Sequence, residues 1–118
     1  MQSEFSFDYN KFISDSSGFL NLWYKLKATS KNLVFIYNIS ENNFKKQRLL
    51  KIIEQYNDKI VKNNFKNNEE FLDLSTVVFG HIQIFSQRAF KYDIICKQTF
   101  NEINSILKKI RKVTTMYF

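Results

Sequence analysis

The chain holds one histidine, His81, and one cysteine, Cys96, so nucleophilic chemistry has to be built around these two side chains. A Ser-His-Asp or Cys-His arrangement needs an imidazole base within hydrogen-bond reach of a hydroxyl or thiol. Ser75, Ser86 and Cys96 are the candidate nucleophiles, and nothing in their spacing places one beside His81. Helical nucleases of the Arg-x(4–6)-His type need an arginine shortly before the histidine, whereas residues 74–77 are Leu-Ser-Thr-Val. Glu69, Glu70 and Asp73 could contribute to a metal site only with acids from elsewhere. Their place at a helix start is explained by the favourable interaction of anions with the helix dipole. A single cysteine excludes a disulfide framework and a cysteine-based zinc site. Cys96 sits where a helix begins, which could lower its thiol pKa, but a lone buried thiol is the preferred reading, and His81 is expected to be a structural residue at a helix–helix boundary. The expectation is a protein without catalytic residues, cofactor or metal.

What the sequence offers instead is positive charge. Its 118 residues carry 18 Lys and Arg against 11 Asp and Glu, a formal net charge of +7. The surplus is localised. Residues 41–66 hold seven cations against three acids, and residues 96–118 hold five against one, whereas residues 67–95 are net acidic. Lys45, Lys46, Arg48, Lys51, Lys59 and Lys62 lie off the apolar stripe of the first basic segment. Lys108, Lys109, Arg111 and Lys112 lie off the seam of the second. Arg88 admits two readings: an ion pair with Glu102 or another acid across helices, or a place beside Lys45, Lys46 and Arg48 at a phosphate. Two basic helices on one bundle could form an electropositive strip, and together these cations are the candidate nucleic-acid-binding residues, because each neutralised phosphate adds affinity through counterion release with little sequence information. The competing readings are a solvated helix face and a composition rich in Lys, Asn, Ile and Phe that reflects an AT-rich coding sequence.

These residues must be positioned by helices. No proline and only two glycines argue against turn-rich β-folds, a Rossmann loop or a P-loop. Apolar residues make up 44% and aromatics 17%, enough for a packed core. Residues 1–18 form an aromatic arm, with Phe5, Phe7, Tyr9 and Phe12 among polar residues. Residues 19–118 form the bundle. The first helix covers about 19–37 through Phe19, Leu22 or Trp23, Leu26, Leu33 and Tyr37, and its polar stretch 28–32 could admit a break. The second runs over about 41–65 with Leu49, Ile53, Tyr56 and Ile60 on one stripe. The third starts near Asn68 and carries Phe71, Leu74, Val78, Ile82, Phe85 and Ala89. The fourth starts near Cys96 and runs to Val113 or beyond through Phe100, Ile103, Leu107 and Ile110. The expected fold is all-α, an antiparallel four-helix bundle with a short aromatic N-terminal arm. The polar, acid-bearing first residues do not fit a signal peptide, and the most apolar window, 33–39, is too short to cross a bilayer. A soluble, cytoplasmic protein is expected.

Leu22-Trp23-Tyr24 and Leu26 form an early aromatic–leucine pattern, and Phe44-Lys45-Lys46-Gln47-Arg48 a basic joint opening the second helix. Ile84-Phe85-Ser86-Gln87-Arg88-Ala89-Phe90 is an arginine-bearing third-helix ending, and Phe100, Ile103, Leu107 and Ile110 pattern the last helix. In these features the segment from Trp23 to Val113 resembles the four-helix-bundle accessory variability determinants that accompany reverse transcriptases in diversity-generating retroelements, and the related ribosomal-insertion four-helix proteins. The joint here lacks the family's proline, and residues 112–118 replace a Gly-Gly-Trp-like ending. The resemblance implies a basic homo-oligomeric ring, a pentamer, that binds nucleic acid and a reverse transcriptase.

The function expected is therefore that of a non-catalytic basic accessory protein that binds RNA or DNA and assists a larger enzyme such as a reverse transcriptase. The alternative is a protein-interaction subunit of a large assembly, or an inhibitor or immunity-type protein from a mobile element. Aromatic residues near both ends, including Tyr117 and Phe118, motivate it.

Overall fold

A computed structural model describes residues 11–12, 18–36 and 43–117, with side chains described for 11–12, 18–35 and 46–115. Four long helices make up nearly all of it: α1 (Phe19–Ile36), α2 (Asn43–Lys62), α3 (Asn68–Lys91) and α4 (Lys97–Tyr117). There is no strand among the described residues. The protein is an all-α, antiparallel four-helix bundle.

A chain without proline and with almost no glycine still has to end its helices, and Asn and Asp do so. Asn63 takes φ 51° immediately after α2, where its amide bonds Ile60 O at 3.3 Å and the Asn64 amide bonds Lys59 O at 3.0 Å. Asp93 takes φ 58° after α3, with Asp93 N on Phe90 O at 3.1 Å and Ile94 N on Ala89 O at 2.8 Å. Both are paired 5→2 and 6→1 bonds around a left-handed residue, the Schellman arrangement normally given to glycine. Asn and Asp tolerate that conformation better than other residues with a Cβ.

Helix starts are equally local. Asn67 is extended and its Oδ1 accepts from Glu70 N at 2.9 Å, while Glu70 Oε1 accepts from Lys66 N at 3.0 Å. This is a capping box displaced by one residue, since the carboxylate reaches the amide before the cap.

The stripes meet in one core. Phe19, Trp23, Leu26, Leu33, Leu49, Ile53, Tyr56, Ile60, Phe71, Val78, Ile82, Ala89, Ile103, Leu107 and Ile110 are buried, as their spacing predicts. Leu22, Leu74 and Phe100 are half-buried at its margin. Phe12 is fully buried, edge-on to Phe19 at 5.0 Å and to Phe71 at 5.2 Å. One arm aromatic thus packs on the bundle, whereas Phe5, Phe7 and Tyr9 lie outside the described residues. No break occurs at 28–32, and α1 is continuous. Ala28, Lys31 and Asn32 are exposed on its outer face, and Thr29 Oγ1 bonds Lys25 O at 2.8 Å within the helix. Polar residues on an outward face leave the helix intact.

Packing order fixes where the charge can go. α1 lies most extensively on α4, α4 on α3, α3 on α2, and α2 more loosely on α1. α2 and α4, the two basic helices, occupy opposite corners of the bundle.

Candidate nucleic-acid interface

Opposite corners mean that the cations of α2 and α4 do not merge into one strip. They form two surfaces. On α4, Lys108, Lys109 and Lys112 are exposed, and none has an ion-pair partner among the described residues. Arg111 is half-buried and lies along α3, lining a cleft of about 210 Å³ with Leu72, Ser75, Thr76 and Phe79. Its stem covers apolar surface in the manner of long basic side chains.

The α2 cations divide along the helix. Lys59 Nζ sits 3.4 Å from Glu70 Oε1 and 3.2 Å from Asn64 O. Lys62 Nζ lies 3.3 Å from Asp58 Oδ1 one turn back. Both are therefore partly neutralised, and they contribute as local pairs rather than as open phosphate contacts. Toward the other end, Lys46 is half-buried, and Arg48 and Lys51 are exposed without acidic partners among the described residues. The Lys45 side chain lies outside the described residues.

Arg88 resolves toward α2. It lines a cleft of about 210 Å³ with Arg48, Leu49, His81, Ile84 and Phe85. No ion pair joins it to Glu102, whose Oε1 accepts instead from Gln98 Nε2 at 3.3 Å. Antiparallel packing of α2 and α3 produces this meeting, because the first turns of α2 then lie level with the last turns of α3. His81 belongs to the same cleft, with Nδ1 2.8 Å from Val77 O. An Nδ1–H donated to that carbonyl holds the ring and leaves Nε2 for a ligand. The helix-boundary position expected for His81 is correct; its membership of a cationic cleft was not anticipated. The signal was present as a second stripe on α3, Val77, His81, Ile84 and Arg88, running beside the core stripe.

Within the net-negative segment, Glu70 has a structural role. The Lys66 amide, with the Lys59 ammonium nearby, holds the Glu70 carboxyl below its ordinary range. Cys96 corrects an expectation, because it is exposed rather than buried. It stands immediately before α4, and the Thr99 hydroxyl, 3.4 Å away, and backbone amide lower its thiol pKa. Among the described residues no cluster of three His, Cys, Asp or Glu side chains could hold a metal ion, and no helix is long and apolar enough to cross a membrane. No family model matches this chain, and no significant similarity is found to curated proteins or to solved structures.

Proposed function

We propose that this chain is a non-catalytic, basic four-helix-bundle protein that binds the backbone of RNA or DNA and assists a larger enzyme such as a reverse transcriptase, working as a homo-oligomer. The observation that carries the reading is the set of exposed Lys108, Lys109 and Lys112 on α4, with no acidic partner among the described residues. Surface cations with nearby carboxylates are already neutralised, whereas open ones exchange condensed counterions for phosphates. Placing cations on a rigid helix fixes their spacing without any base-reading element, so binding follows the backbone rather than the sequence. The reverse-transcriptase partnership and the ring follow from the family resemblance alone.

Binding of labelled RNA and DNA across a salt series tests the reading. A steep fall in affinity between ~50 and ~200 mM salt is expected. Absence of binding at ~50 mM, or affinity indifferent to salt, would overturn it. The protein-interaction alternative is favoured by Phe35, which is 87% exposed near the end of α1. Co-purification of a partner protein that is lost on Phe35→Ser, with no nucleic-acid binding, would establish it instead.

A further inference from the structure

The cleft between Arg48 and Arg88 differs from the open lysines of α4 because it has a floor and defined sides. Leu49, Ile84 and Phe85 supply apolar surface, and Arg48, His81 and Arg88 line the same volume of about 210 Å³. Neither arginine has an acidic partner among the described residues, so the charge is available to a ligand.

We propose that this cleft is a phosphomonoester-binding site. Two guanidiniums match the dianion that a terminal phosphate presents, whereas an internal phosphodiester carries a single charge. His81 lines the same cleft, its ring held in place by the Nδ1–H donated to Val77 O. The cationic character is confined to one end of the α2–α3 groove. Further along, the groove passes Ile52, Asp58, Leu74 and Val77, and its one cation, Lys59, is held by Glu70. A strand tracking the groove would find its next phosphates unmatched. A terminal phosphate needs only the cationic end, with its sugar or base resting against Ile84, which is half-exposed. Two sources carry this chemistry, the phosphorylated end of a strand and a free nucleotide. The strand-end source rests on the nucleic-acid reading; the site itself does not.

Anisotropy titration of one oligonucleotide with a 5′-phosphate or a 5′-hydroxyl separates these ideas, alongside adenosine 5′-monophosphate followed by amide chemical shifts. Either the phosphorylated strand binds at least about tenfold tighter than its hydroxyl twin, or the nucleotide shifts amides around Arg48, His81 and Arg88. The first outcome assigns a strand end, and the second a free phosphomonoester. In both cases Arg48→Ala and Arg88→Ala, at exposed positions that leave the helical circular-dichroism signal intact, abolish the effect. Arg88→Lys keeps the charge but loses the two-pronged geometry, and it restores only part. Equal binding of both strands together with no nucleotide response overturns the site, as does an effect that survives both alanine variants. Salt-sensitive binding of the hydroxyl strand in that case leaves the broader function standing. Nucleotide binding without any strand binding does the reverse.

Discussion

Tyr56 Oη lies 2.6 Å from Ser75 Oγ, a buried hydrogen bond that ties the loosely held α2 to α3. Ser75 Oγ also bonds Phe71 O at 2.7 Å, so the serine donates to the carbonyl while the tyrosine donates to the serine. The Tyr56 ring meets Trp23 edge-on at 4.8 Å, and Trp23 Nε1 donates to Asn57 Oδ1 at 3.0 Å. Two amphipathic aromatics thus place their polar atoms on partners while their rings fill the core.

Tyr56→Phe keeps the ring and removes one buried bond, so a loss of about 1 kcal/mol is expected. For a domain of this size that is a fall in Tm of roughly 3–6 °C. A double-mutant cycle with Ser75→Ala is the check. Additive effects would show that the two hydroxyls do not cooperate.

Ser30 is the opposite case. It is 1% exposed on α1, and its Oγ has no hydrogen-bond partner among the described residues. Ser75 and Thr114, also buried, each bond the carbonyl one turn back. A buried, unpaired hydroxyl costs free energy, and alanine is the better helix former. Ser30→Ala is expected to stabilise the protein by about 1 kcal/mol in a urea or thermal melt. A loss of stability would mean that the hydroxyl is bonded in solution.

The α3 cap supplies a pH-dependent contribution. The folded-state pKa of Glu70 is lowered by the Lys66 amide and by Lys59. A depressed carboxyl pKa contributes stability that is present above the unfolded-state value and is lost as pH falls through the folded-state value. Glu70→Gln should therefore lower Tm at neutral pH, with the gap to the parent closing in acid. Asn67→Ala removes an uncharged cap, and its cost of about 1 kcal/mol should persist across the same range. Parallel pH profiles for the two variants would contradict this assignment.

The exposed Cys96 is expected to react with a disulfide reagent in the folded protein, with a rate midpoint below the ordinary thiol value. Thr99 is the first cause of that shift. Thr99→Val should move the midpoint upward, and an unchanged midpoint would remove Thr99 from the account.

The fold was legible because the 3–4 apolar spacing of α2, α3 and α4 is nearly uninterrupted, and one buried face dictates one packing. Cys96 was misread because burial of a free thiol is a composition-level expectation, whereas its position before Lys97 leaves it at an open helix end. The Arg48–His81–Arg88 cleft was only half legible. Each residue lies off its own stripe, and their meeting depends on the level at which α2 and α3 pass, which periodicity along one helix does not set. The likeness of α2 and α4 in charge was visible as well, but not their separation, because corner order follows from side-chain packing among all four helices.

That separation has a consequence for binding. With α2 and α4 on opposite corners, substitutions on the two surfaces share no partners and should act independently. Replacing Lys108, Lys109 and Lys112 with glutamine is expected to lower nucleic-acid affinity broadly and to reduce the slope of log affinity against log salt by up to about three. It should leave untouched any discrimination between phosphorylated and hydroxyl strand ends. Arg48→Ala should do the converse, removing end discrimination while changing the slope by about one at most. Salt titrations of the two variants and of their combination, on both strands, decide the matter. If the α4 variant loses end discrimination as well, the two surfaces act on one bound strand and are not independent.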